Sequence, residues 1–356
     1  MGEELMIPVV IPAYEPDDNL TRFCRDLHKS GFKNIIVVND GSSTDYDALF
    51  HEAAEVEGCT VLRHAVNQGK GRALKTAFNY ILNQFSDWGG VGCITADSDG
   101  QHKTEDVLKC ARLFHENADR LIMGSRKFDS EDIPWKSKLG NELTKKVCSY
   151  LCGIKLSDTQ TGLRGIPCEF MKELMNVPGE RFEFETNMLI RSRDKFEIIE
   201  IPIQTVYESK KNHKTHFDPI WDSIRIYRIF GIMFLKYIIS SLSSSVLDLL
   251  LFSAFCGLLH PWNELYYVTA ATIAARVISA TYNYLVNYKF VFNSNKNMGV
   301  SIMKYCMLAV CIMLSSALLV TFGVRLFTNS SEVFIKLIVD TILFFVSYKV
   351  QQVFVY

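Results

Sequence analysis

Ile94-Thr95-Ala96-Asp97-Ser98-Asp99-Gly100-Gln101-His102 is an apolar run that breaks into two acids, a glycine and an amide. A short buried strand that ends this way carries two carboxylates, one residue apart, to the edge of a sheet, where both can face one cation. Hard oxygen donors together with the Gln101 amide suit Mg²⁺ or Mn²⁺, and such an ion can in turn hold a diphosphate. An Asp-x-Asp pair also occurs in ordinary surface loops, so its neighbours decide the reading.

Working outward, the same strand-then-polar-loop pattern recurs three times upstream. Pro8-Val9-Val10-Ile11 runs into Pro12-Ala13-Tyr14-Glu15-Pro16, and Asp17 or Asp18 can cap a helix reaching Ser30, where Gly31 stops it. Asn34 to Val38 ends in Asn39-Asp40-Gly41-Ser42-Ser43. Thr60 to Arg63 leads to Asn67-Gln68-Gly69-Lys70-Gly71, which opens a helix from Arg72 to Gln84. Gly92 to Thr95 is the fourth strand. Strands alternating with helices predict an α/β fold whose mostly parallel sheet is covered on both faces. Ligands of such sheets bind outside the carboxyl ends of the strands, where all four polar loops land.

Each loop taken singly has an unremarkable reading: Asp-Gly-Ser-Ser as a turn, Gly-Lys-Gly as a helix start. Together, at one sheet edge, their residue types suit a nucleotide sugar. Asp40 can accept from a base N–H, Gly69 and Gly71 allow close backbone approach, and Lys70 supplies positive charge.

Ile11-Pro12-Ala13-Tyr14-Glu15, Val38 to Asp45, Asn67 to Gly71 and Asp97 to His102 resemble the motifs of family 2 glycosyltransferases, and among these the dolichyl- or polyprenyl-phosphate sugar synthases. Gly124-Ser125-Arg126 and Ser157-Asp158-Thr159-Gln160-Thr161-Gly162-Leu163-Arg164-Gly165 are similar to that subgroup's acceptor region. The resemblance covers roughly residues 7 to 227. The chain lacks the Gln-x-x-Arg-Trp string of processive members. The resemblance implies a GT-A (Rossmann-like) domain, with Pro12, Ala13, Tyr14, Glu15, Asp40, Gly69, Lys70, Ala96 and Ser98 at the donor. It implies metal on Asp97, Asp99 and Gln101. Arg126, Asp158, Gln160, Arg164 and Arg225 are the candidates for acceptor phosphate or diphosphate, since a guanidinium grips phosphate in a two-pronged fork. Asp97, Asp99, Arg126 and Arg164 are the expected catalytic set.

The acceptor so implied, a polyprenyl phosphate, is already ionised at neutral pH and attacks the anomeric carbon without a general base. The protein then supplies positioning and charge stabilisation of the leaving diphosphate. In-line attack inverts the anomeric centre. Glu183 or Glu185, in Phe182-Glu183-Phe184-Glu185-Thr186-Asn187, either reaches the sugar hydroxyls, as acidic residues of this region do in relatives, or merely caps a helix. Lys210, Lys211 and Lys214, beside His213 to Phe217, form a basic loop over the diphosphate or a solvated charge run. His102 reads as structural rather than as a ligand.

From Ile232 onward Leu, Ile, Val, Phe, Ser and Ala dominate. Tyr305 to Val324 is a charge-free span of twenty residues. Phe234 to Leu259 contains Lys236 and Asp248, Tyr266 to Tyr288 contains Arg276, and Val333 to Val353 contains Lys336, Asp340 and Lys349. About 20 mainly apolar residues cross a bilayer, and an ionisable group is tolerated where it faces protein. Four membrane helices are expected, with Asp248, Arg276 and Asp340 pairing inside the bundle. Arg276 to Phe292, with Asn283, Asn287, Lys289 and Phe292, resembles the GtrA-like four-helix membrane domain. Arg276 there either keeps the helices in register or handles the lipid phosphate.

The resulting division is 1–216 for the cytoplasmic GT-A domain, 217–231 for an interfacial linker helix and 232–356 for the membrane domain. A second amphipathic interfacial helix is expected over Pro134 to Leu151. Lys289, Lys296 and Lys304 place the loop after the second span inside, against mild contrary pull from Arg325. The acidic start Met1-Gly2-Glu3-Glu4 predicts no signal peptide. The expectation is a multi-pass protein of a prokaryotic plasma membrane, catalytic half in the cytoplasm.

With 38 Lys and Arg against 39 Asp and Glu, the net charge of −1 offers nothing to nucleic acid. Ten scattered cysteines without a CxxC pair read as buried hydrophobes or idle thiols. The implied partners are a nucleotide sugar (a UDP- or GDP-hexose), a polyprenyl phosphate and the membrane, with a homo-oligomer left open. A lipid-linked sugar carrier, or transfer to a glycan or protein, are the competing readings.

Overall fold

The computed structural model describes residues 5–84, 92–126, 145–147, 149–154, 156–193, 195–204, 221–259, 267–294, 296–327 and 331–356. The His213 to Phe217 loop and most of the Pro134 to Leu151 segment lie outside the described residues. The chain forms two compact units, one of residues 1–149 and 154–229, the other of 150–153 and 230–356.

The first unit is built on seven strands: β1 Val9–Ala13, β2 Ile35–Asn39, β3 Cys59–Arg63, β4 Gly92–Thr95, β5 Leu121–Arg126, β6 Arg164–Pro167 and β7 Ile198–Ile203. Their order is β3-β2-β1-β4-β6-β5-β7. β1, β2 and β3 pair in parallel (Val9 opposite Ile35, Ile35 opposite Cys59), and β4 adds to β1 in parallel with Ile94 opposite Val9. β6 runs antiparallel between β4 and β5 (Cys93 opposite Ile166, Ile122 opposite Gly165), and β7 closes the edge parallel to β5. The wholly buried β1, and β2 up to its last residue Asn39, are continuous apolar runs, as strands covered on both faces must be.

Helices α1 Asn19–Lys29, α2 Asp47–Ala54, α3 Lys70–Gln84 and α4 Thr104–Glu116 connect the first five strands; α5 Cys168–Leu174 and α6 Glu183–Ser192 lie between β6 and β7. At the start of α1, Asp17 Oδ1 accepts from Asn19 N at 3.0 Å, and beyond its end Gly31 takes φ +102°. Leu20, Phe23 and Leu27 of α1 pack with Val9, Ile11, Phe32 and Val37 in the main core. The strand order reverses between β1 and β4. The carboxyl ends of these two strands, Ala13-Tyr14 and Ala96-Asp97, therefore open a crevice that no crossover covers.

Among the described residues the second unit carries four long helices where the sequence predicts four spans: α7 Trp221–Leu259 (which begins in the first unit), α8 Tyr267–Val286, α9 Met298–Leu326 and α10 Glu332–Val350. Among the described residues three stretches are long and apolar enough to cross a membrane: Ile224–Leu259, Met298–Leu326 and Phe334–Val355. α8 is not one of them, because Thr272, Arg276, Ser279, Thr281 and Asn283 dilute its apolar content. Leu249, Leu250, Leu318 and Phe322 are among many large apolar side chains left exposed in this unit, as a lipid-facing surface requires.

The expected three-way pairing of charges is corrected. Arg276 pairs with Asp248 at 3.2 Å, and Ser279 Oγ donates to the same carboxylate at 2.7 Å. Asp340 instead pairs with Lys336 one turn earlier on its own helix, at 2.8 Å, and accepts from Ser316 Oγ at 2.6 Å. Asn283 and Asn287 join a buried chain of amides: Asn287 donates to Asn283 Oδ1 (3.0 Å) and Gln351 Oε1 (3.1 Å), and Gln351 Nε2 donates to Tyr237 OH (3.1 Å). Such bonds hold membrane helices together where apolar burial cannot. The short segment 150–153 belongs to this unit, with Tyr348 OH donating to Leu151 O at 2.7 Å.

Candidate active site

A cavity of about 460 Å³ opens at the crevice and gathers residues from all four polar loops that the sequence brings to the sheet edge. Pro12, Ala13 and Tyr14 come from the end of β1, Asp40 from β2, Asn67, Gly69 and Lys70 from the start of α3, and Asp97, Ser98, Asp99 and Gln101 from β4. Arg126, Thr159 and Gln160 close one side, and Arg181, Phe182, Glu185 and Thr186 close the other.

The charges are paired across the cavity. Lys70 Nζ lies 2.7 Å from Asp97 Oδ1 and 3.1 Å from Glu185 Oε2. His102 Nε2 lies 3.2 Å from the other Asp97 oxygen. Burial favours the neutral Asp97, but the Lys70 ammonium and the His102 contact outweigh it and hold the carboxyl well below the usual range. Burial likewise works against the Lys70 charge, and Asp97 with Glu185 push its pKa above the ordinary lysine value. Asp99 shifts the other way: burial first, then the neighbouring Asp97 charge, raise it.

Two carboxylates one residue apart, with Asp99 resisting ionisation first through burial and then through the Asp97 charge, fit a cation that neutralises both. With Gln101 they make an all-oxygen set. Among the described residues no group of three or more His, Cys, Asp or Glu forms a fuller cage. Two protein carboxylates, with the remaining positions left to waters and phosphate, match Mg²⁺-type binding.

The Asp97 side chain packs directly on Gly162. A Cβ there would sit 2.3 Å from both carboxylate oxygens, and Thr95 Oγ1 fixes the same glycine by donating to its carbonyl at 2.7 Å. The close approach at Gly69 (φ +100°) and Gly71 is to protein. Their missing side chains make room for the turn ahead of α6, since a Cβ on Gly71 would meet Phe184 Cβ at 2.5 Å and Glu180 C at 2.9 Å. Lys75, 5% exposed, pins that turn through Gly179 O (3.0 Å) and Glu180 Oε1 (3.1 Å). This packing carries Arg181, Phe182, Glu185 and Thr186 to the cavity. Of the acidic pair, Glu185 lines the cavity and faces Lys70, while Glu183 Oε1 accepts from Glu180 N and Arg181 N in the turn ahead of α6.

Arg126 lines the cavity with its guanidinium held in a two-point contact by buried Asp158, at 2.6 and 3.1 Å. Asp158 itself is 0% exposed and orders the loop by accepting from Gln160 N. The other residues expected at the site do not line the cavity. Arg164 is buried, donating to Thr161 O (3.0 Å) and Glu185 O (3.2 Å), so it braces the helix that bears Glu185. Ala96 is buried beside β1, with its N–H on Val10 O. Glu15 turns at φ +45° and donates its N–H to Ser42 Oγ, and Arg225 is exposed on α7. Sequence reasoning missed Arg181 and the buried His64, and gave roles to the acids of the Phe182 to Asn187 run but none to Phe182 or Thr186, because packing against α3 rather than any local motif brings these residues to the site.

A mixed sheet of this order, with an acid-bearing crevice at its switch point, defines a GT-A-like α/β domain. Residues 9–175 match the model of Glycosyl transferase family 2, and the chain belongs to that family. A protein of Methanocaldococcus jannaschii described as uncharacterized is 32% identical over 205 residues, 56% of this chain and 81% of the relative. The UDP-N-acetylglucosamine–dolichyl-phosphate N-acetylglucosaminyltransferase of Methanococcus voltae is 26% identical over 220 residues, 57% of this chain and 86% of that protein. Among solved structures, glucosyl-3-phosphoglycerate synthase from Mycobacterium tuberculosis, in complex with Mn²⁺, UDP and glucosyl-3-phosphoglycerate, is similar at 16% identity. It covers 62% of this chain and 74% of its own, with a TM-score of 0.43.

Proposed function

We propose that this protein transfers a single hexose, with inversion, from a nucleotide diphosphate sugar to a polyprenyl phosphate at the cytoplasmic membrane face. One combination carries the reading: Asp97, Asp99, Lys70 and Arg126 line one cavity of a chain that, among its described residues, also bears three membrane-length helices. The lipid-phosphate acceptor named for the Methanococcus voltae relative supports it.

Asp97, Asp99 and Gln101 would hold Mg²⁺ or Mn²⁺, which supplies Lewis-acid neutralisation of a diphosphate leaving group. Lys70 keeps Asp97 ionised and brings positive charge to the donor side. Arg126, oriented by Asp158, faces the acceptor side with its planar fork. No base is needed for a phosphate nucleophile, and none of the paired acids has to serve as one. Glu185, fixed by Lys70 and by the Arg164 brace, is placed to bind sugar hydroxyls. The helical unit, which we read as GtrA-like, anchors the chain beside its lipid acceptor.

The test is a screen of radiolabelled nucleotide sugars with polyprenyl phosphate and Mn²⁺, comparing wild type with Asp99→Ala. One donor should give a chloroform-soluble product that the variant loses, with a rate drop of about 10²-fold or more. A folded wild type that yields only water-soluble products, or none, would reject the lipid acceptor.

A further inference from the structure

Asp40 is held by more partners than a base-reading acid needs. Its Oδ1 accepts from His64 Nδ1 at 2.7 Å and from the Gln68 N–H at 2.9 Å, while Oδ2 accepts from the Gly69 N–H at 2.7 Å. His64 is 7% exposed and its Nε2 lies 2.9 Å from Thr76 Oγ1 on α3. A carboxylate oxygen offers about two good acceptor positions. Since a carboxylate only accepts, Nδ1 carries the proton of that bond, and the Thr76 hydroxyl holds the far side of the ring. Oδ1 is thereby filled and Oδ2 keeps one acceptor position, on a residue that lines the cavity.

We infer that His64 is a positioning residue that leaves Asp40 a single open acceptor, and that the cavity therefore takes a nucleoside diphosphate with a uracil-type base in preference to guanine. The inference rests on the nucleotide-sugar reading above and deepens it. Uracil and thymine each present one ring N–H between two carbonyls, which one acceptor satisfies. Guanine presents N1–H and an N2 amino N–H side by side, a pattern that asks for both oxygens of a carboxylate. With Oδ1 occupied, one of those donors is left without a partner on Asp40, and an unpaired buried donor is penalised. The same clamp ties Asp40 to the peptide just ahead of Lys70, so base reading and the Asp97 pairing share one loop.

Isothermal titration of the purified full chain in detergent with Mg²⁺ tests this, using UDP, dTDP and GDP as separate titrants. UDP or dTDP should bind about ten-fold or more tightly than GDP, and the comparison of the two shows whether the pocket admits the thymine methyl. His64→Ala, which frees Oδ1, should weaken UDP and bring the UDP-to-GDP ratio to within about three-fold. His64→Asn, whose amide N–H can take the place of Nδ1, should restore the preference. Wild type that binds GDP as well as UDP or better overturns the inference, even if neither variant folds. A folded His64→Ala that keeps the wild-type ratio overturns the role of His64. Folded wild type that binds none of the three would instead sink the nucleotide-sugar reading itself.

Discussion

At the scale of the residue, the site is a set of charges arranged so that each acid has a cation or a donor beside it. Gly162 shows how little slack there is. With Asp97 oxygens 2.3 Å from where a Cβ would lie, Gly162→Ala must push the carboxylate out of place. The expected result is a folded protein with its melting temperature lowered by the equivalent of about 1–3 kcal/mol and transfer activity reduced at least as strongly as by Asp99→Ala; full activity would refute the packing. The Lys70–Asp97 pair makes a pH prediction. Asp97 is lowered from 3.8, so its contribution to stability is present above that value and fades as pH falls through the folded pKa. Lys70 is raised from 10.5, so its share is present below that value and fades only as pH rises beyond it. In chelator, Lys70→Met should therefore melt lower than wild type by the equivalent of about 1–3 kcal/mol at pH 7, with the gap closing below about pH 4. A gap of constant size from pH 3 to 7 would contradict this.

At the scale of the element, the start of α3 does two things: it presents Lys70 and it receives the turn that precedes α6. Gly71 decides the second. Alanine is worth up to about 1 kcal/mol over glycine in a helix interior, but its Cβ would lie 2.9 Å from Glu180 C and 3.0 Å from Arg181 O, backbone atoms that cannot swing aside. The clash wins, and Gly71→Ala should lower stability and weaken donor binding together, read by melting and by titration; a variant more stable than wild type would show that the turn yields. The strands β1 to β4 and the helices after β1 and β3 were legible because each is a local pattern of period and punctuation. Two features were not. The antiparallel insertion of β6 between β4 and β5 depends on which edges are open, and a four-residue strand such as Arg164–Pro167 carries no mark of its neighbours. The cavity wall of Arg181, Phe182 and Thr186 depends on packing against α3, about a hundred residues earlier.

At the scale of the whole molecule, an α/β unit shares its chain with a helical unit that exposes many large apolar side chains. Within that second unit, the Arg276–Asp248 pair tests whether the paired charges of the helices are structural. Asp248→Ala leaves Arg276 without its acid, so it should cost more stability in detergent than the double variant Asp248→Ala, Arg276→Ala, by about 1 kcal/mol or more; additive losses would mean that the two do not interact. The sequence by itself determined the alternating α/β architecture, the loops that meet at the sheet edge, the acids Asp97 and Asp99, and the apolar character of the last third, since all of these are written in short runs of residue type. Tertiary structure alone decided that Asp340 turns to Lys336, that Arg164 is a brace inside the fold, and that His64 clamps Asp40. A side chain's partner is set by which distant backbones pack against it, and that is settled only when the whole chain has closed.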